Sequence, residues 1–94
     1  MGAQGTATLN FGATPIDEAT IAVTGQAGII AGSHVEAFFM RETATGNGVE
    51  EHEAMAIYCP LTVGSIIAGT GFTIYATMLA GFATGQFAVR WVWN

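Results

Sequence analysis

Glu50, Glu51, His52 and Glu53 are the densest group of ionisable side chains in the chain. Carboxylates beside an imidazole can ligate a divalent metal or work as a general acid and base. Their spacing argues against both. On extended backbone, neighbouring side chains point to opposite faces; in a helix, Glu50 and Glu53 share a face, but no second histidine follows at ligand spacing. His52-Glu53 continues as Ala54-Met55-Ala56, so the two-histidine zinc motif is absent. The segment 42–53 therefore reads as a polar, acidic, solvated loop, with room for a short helical turn from Val49 to Glu53.

The other reactive residues are scattered. His34 and Glu36 lie two apart, on one face of an extended segment, where a surface ion pair is worth little. Cys59 alternates into an apolar face between Ile57 and Leu61 and reads as a small hydrophobe; a nucleophilic role needs exposure and an adjacent base. A single cysteine excludes an internal disulfide framework and a multi-cysteine zinc site. Gly69-Thr70-Gly71 suits a hairpin and lacks the strand-to-helix setting of a phosphate loop. Arg90, among Trp91, Val92 and Trp93, suits an ion pair with a carboxylate on a neighbouring strand or subunit. These residues assign no catalytic, metal or cofactor site, and the expectation is a protein that is not an enzyme and holds no cofactor.

The elements that carry these residues are strands. The chain has 94 residues, which suits one domain over 1–94. It has 13 Gly and is 51% hydrophobic but only 10% charged. Two arginines and no lysine face seven acidic residues, for a net charge of −5. That excludes a nucleic-acid binder, which needs clustered cations to displace counterions. A mean hydropathy of +0.47 excludes a disordered chain. Met1 to Asn10 lack a basic n-region, so no secretory leader is expected.

The stretch 54–89 carries no Asp, Glu, Lys, Arg or His, and Gly81 and Gly85 have the spacing of a helix-contact motif. A membrane span nevertheless fits poorly. Gly69, Thr70, Gly71, Thr73, Thr77, Gly81 and Thr84 interrupt the apolar run, and Arg90 is its one basic flank. No membrane association is expected.

Period-two patterning predicts strands over Thr6–Phe11, Glu18–Thr24, His34–Arg41, Ala54–Val63, Phe72–Leu79 and Gln86–Trp93, separated by glycine-rich turns. Pro60 marks the fourth as an edge or bulged strand. The expected fold is an all-β, single-domain antiparallel sandwich, jelly-roll-like, of about six to eight strands.

On this assignment Phe38, Met40, Tyr58, Tyr75, Leu79 and Val92 point outward although they are apolar. A monomer would carry charges at several of these positions, so they are candidate interface residues, together with Arg90 and Trp93 near the last strand's end. Trp91 is assigned to the core. The aromatic residues Tyr58, Tyr75, Trp91 and Trp93 also suit a sugar-stacking platform, and the loop 42–53 a receptor-binding rim. That alternative describes a receptor- or glycan-binding module.

Five segments carry a resemblance: 7–15 (ATLNFGATP), 19–25 (ATIAVTG), 33–37 (SHVEA), 68–75 (AGTGFTIY) and 87–93 (FAVRWVW). Together they resemble small proteins of tailed-bacteriophage structural gene clusters. The resemblance implies a virion structural protein, such as a capsid decoration or cement protein. It further implies a β-sandwich, a homotrimer, contact with the major capsid protein and a place on the capsid surface. It equally implies, as the alternative, a tail or fibre-tip module that binds a receptor or glycan, and it carries over no individual functional residue.

Overall fold

The computed structural model describes residues 2–94. Its organising strand is β6 (Gln86–Trp93), whose alternation buries Phe87, Val89, Trp91 and Trp93 and turns Ala88, Arg90 and Val92 outward. β6 lies between β1 (Ala3–Asn10) and β3 (Val35–Phe38). In the facing sheet, β5 (Gly71–Thr77) lies between β2 (Glu18–Val23) and β4 (Leu61–Ile67). All four pairings are antiparallel. The all-β sandwich expected from the sequence is therefore the observed architecture.

The connectivity is a rolled hairpin. β1 pairs with β6, β2 pairs with β5, and β3 packs near β4 across the layers. Rolling this ladder lets β6 pair also with β3, and β5 also with β4. This is a six-stranded jelly-roll wrap. Its two crossing segments travel together: Phe11 N–H donates to Gly85 C=O at 2.8 Å, and Ile16 and Ala83 exchange backbone bonds at 3.1 and 2.8 Å.

The core between the layers includes Leu9, Phe11, Ile29, Phe72, Ile74, Phe87, Val89 and Trp91. Each large side chain buried there contributes roughly 1.5–3 kcal/mol. Phe11 meets Phe87, and Phe72 meets Trp91, edge to face at centroid separations of 5.7 and 5.5 Å. Gly5 is required by this packing, since a Cβ there would lie 2.5 Å from the Trp91 ring.

The main departure from the sequence expectation is a helix, α1 (Val49–Tyr58), where a strand was expected over 54–63. Met55, Ile57, Cys59, Leu61 and Val63 do alternate. However, the buried set is His52, Met55 and Cys59, spaced three and four apart, while Ile57 is exposed. Helical period won over strand period. The Glu51 carboxylate accepts the Gly48 N–H at 2.6 Å, and Glu50 and Glu51 suit the positive end of the helix dipole. Pro60 stops the helix. The polar segment 42–53 is thus not one loop: its second half is the first turn and more of α1.

Other boundaries move as well. β1 begins at Ala3 rather than Thr6, and β3 ends at Phe38 rather than Arg41. β4 runs through 64–67, where a turn was expected, by way of a bulge that holds Ser65 at a φ of 53°. Among the described residues, no helix is long and apolar enough to cross a membrane.

Candidate functional site

The outer face of the β1-β6-β3 sheet gathers four of the expected interface residues. Antiparallel register puts Thr6, Arg90 and Phe38 in one row and Gln4, Val92 and Glu36 in the next. Met40 follows just beyond β3. Phe38 is 44% exposed, Met40 47% and Val92 37%, which is high for such side chains on a sheet face. They border a groove of about 260 Å³ that Gln4 and Arg90 also line.

Arg90 stands in the middle of this face and is neutralised within the subunit. Its Nη2 donates to Glu42 Oε1 at 2.7 Å, and its Nε lies 3.2 Å from both Glu42 oxygens. The fork geometry holds the Glu42 carboxyl below its ordinary pKa, chiefly through the hydrogen bond, against a smaller opposing effect of burial. The same bond raises Arg90. The sequence pointed to a carboxylate partner for Arg90 but not to Glu42, which lies 48 residues away in the polar segment.

The remaining expected interface residues lie elsewhere. Tyr75 is central on the outer face of the other sheet, in a row with Thr20 and Thr62, and its hydroxyl is 2.6 Å from Ser65 Oγ. Tyr58 is the last residue of α1 rather than a strand residue, and its C=O accepts the Leu79 N–H at 2.8 Å. Both are exposed, and so is Phe82 in the segment between β5 and β6, for which the sequence pattern suggests no role.

Trp93 is a correction. It is 6% exposed, and its Nε1 donates to Gln26 Oε1 at 2.9 Å, so its side chain packs inside the subunit instead of presenting a surface. Trp91 is buried as expected. With both indoles inside, the sugar platform that would have used them is not formed.

The groups considered for chemistry are engaged or enclosed. His52, expected in a solvated loop, is fully buried. Its Nε2 accepts the Ala88 N–H and its Nδ1 donates to Gly48 C=O, both at 2.9 Å. A backbone N–H can only donate, so the ring proton sits on Nδ1. Arg41 pairs with Glu53 at 2.8 Å, and His34 with Glu36 at 2.7 Å, both in exposed positions. Cys59 is buried, and burial pushes its thiol up to about 11. Among the described residues, no three His, Cys, Asp or Glu side chains are grouped to hold a metal ion.

Compared with known proteins, the chain matches no family model, no curated protein and no solved structure.

Proposed function

We propose that this chain is a non-enzymatic structural protein that assembles with copies of itself, as a homotrimer, and decorates and stabilises a tailed-phage capsid. The observation that carries the assembly reading is the apolar strip of Phe38, Met40 and Val92 around the Arg90–Glu42 pair. An internally neutralised arginine lets such a face be covered without stranding an unpaired charge. Each of these side chains is already more than half buried in the subunit, so covering the rest by a neighbouring copy contributes roughly 0.5–1.5 kcal/mol before the cost of association. Repeated across a shell, weak contacts of this kind add by avidity. The virion setting rests on the resemblance of the five sequence segments. The jelly-roll wrap is in keeping with it, since that architecture serves capsid proteins as well as lectins, and this support is fold-level analogy.

The test is the mass in detergent-free buffer by light scattering after size exclusion, for the wild type and for Phe38→Asp. The expected result is an assembly of threefold symmetry, a trimer or a pair of trimers, that the substitution breaks down to a smaller folded species. A monomeric wild type, or a native-size oligomer retained by Phe38→Asp, overturns the outer-face assignment. Co-sedimentation with capsids that lack a decoration layer tests the virion setting: expected retention on the shell, overturned by its absence.

A further inference from the structure

Four strands lie at sheet edges: β1 and β3 in one layer, β2 and β4 in the other. An open edge offers a row of unpaired N–H and C=O groups to any passing strand, and folded proteins usually blunt it. Three of these four edges are blunted. β3 is four residues long, and the Ala56–Pro60 end of the helix segment lies alongside it. β4 is bulged at 64–67 and follows Pro60. β2 is entered through Asp17 and carries Glu18.

β1 has none of these devices. It is eight residues long, keeps one unbroken register from Ala3↔Trp93 to Asn10↔Gln86, and contains no charge and no proline. The Phe11-to-Gly85 bond sets the phase of the ladder, so the odd residues of β1 bond to β6. The N–H and C=O groups of Gln4, Thr6 and Thr8 therefore point away from the sheet, and among the described residues no strand lies beyond them. The side chains of these three residues are exposed.

We infer that the β1 edge is a strand-addition site, and that its occupant is the β1 strand of a second copy, paired antiparallel about a twofold axis. The result is one continuous sheet in the order β3-β6-β1-β1-β6-β3. Two observations select a second copy. The chain carries a net charge of −5, and all seven of its carboxylates lie off β1, so this edge can meet its own image without bringing acids together. The pleat also permits self-pairing. Opposed residues must share a face, so even positions meet even positions, and Thr6 lies opposite Thr6 or Thr8 of the partner. Threonine pairs are favourable cross-strand neighbours. The twofold contact uses the outward backbone groups of β1, whereas the threefold contact uses the side chains of β3 and β6; the two adjoin along Gln4 and Thr6 but do not share their bonding groups, so either can exist without the other.

Amide exchange on the full-length wild type tests the pairing directly. In the assembled protein, the Thr6 and Thr8 amides are expected to exchange at least tenfold more slowly than after dilution to monomer. Outer-face association leaves these N–H groups without a partner. Thr6→Pro is the matched variant. Its lost N–H faces the edge, so the bonds to β6 survive, and the mass by light scattering is expected to halve. Thr8→Lys supplies a second edge block should the proline disturb folding. Thr6 and Thr8 amides that stay fast in the assembled protein, a monomeric wild type, or an unchanged mass in both folded variants overturns the inference. A species that keeps its edge protection in Phe38→Asp supports the β1 pairing while removing the outer-face interface.

Discussion

His52 and Ala88 meet where a strand runs out. β3 stops at Phe38 opposite Arg90, and two residues further along β6 the Ala88 N–H is taken by His52 Nε2 at 2.9 Å. The substitution of side chain and loop for strand continues. Thr45 C=O accepts the Gln86 N–H at 3.0 Å, and Asn47 Nδ2 donates to Gln86 C=O at 2.9 Å. The polar segment and the first turns of α1 thereby complete the ladder of β6. His52 is a structural staple whose other nitrogen is anchored on Gly48.

Replacing His52 by Ala strands the Ala88 N–H and leaves a gap beside Phe87, whose ring lies 5.2 Å from the imidazole. The expected loss of stability is about 2–4 kcal/mol, read from urea unfolding. Exchange of the Ala88 amide should accelerate by more than that of Val89. Equal acceleration at both would mean that the staple has no local role.

Glu42 predicts an acid dependence with a definite sign. Its folded-state pKa is lowered by Arg90, so over the window between the folded and unfolded values the unfolded chain binds more protons. The stabilisation is fully present above the ordinary carboxylate range and is lost as pH falls through the lowered folded value. Glu42→Gln removes the charge at every pH. The difference in urea midpoint between wild type and variant should therefore be widest at neutral pH and shrink in acid. A constant difference would refute the assignment.

Cys59 should be silent towards thiol reagents in the native protein at neutral pH. It is 1% exposed, and its pKa is raised to about 11, so both access and thiolate are lacking. A chromogenic thiol reagent should react within its usual time only after denaturant is added. Rapid labelling of the folded protein would show that the end of α1 opens.

Gly5→Ala should cost about 1–3 kcal/mol through overpacking against Trp91. The cost should shrink in a Trp91→Leu background, where the ring is gone. The double-mutant cycle measures that coupling, and additivity would place the strain elsewhere.

Much of the fold was legible because sheet faces leave a period of two. The span of β6 agrees from sequence to structure, and the buried faces of β5 and β6 follow the alternation. α1 was not legible because its apolar residues satisfy two periods at once; only burial of His52 with Met55 decides between them. At the candidate interface, Phe38, Met40, Arg90 and Val92 fall on one outer face because β3 and β6 are adjacent, an adjacency that alternation does not encode. The alternation of β6 does put Trp93 on the inward face, and its place at the strand's end, which suggested a partner contact, does not expose it. The Gln26 partner that holds its indole lies 67 residues away.

The wrap also sets an order of events. β6 is the last of the six strands to leave the ribosome, yet it is the central strand of its sheet. Until it is made, β1 and β3 have no partner within the chain, and their sheet cannot form. Such non-local pairing places refolding roughly in the millisecond-to-second range. During synthesis, two strands, each with one apolar face, must wait unpaired for a third. Folding yield is then governed by how fast β6 arrives relative to collisions between waiting chains, and it should fall with concentration and rise with slower expression.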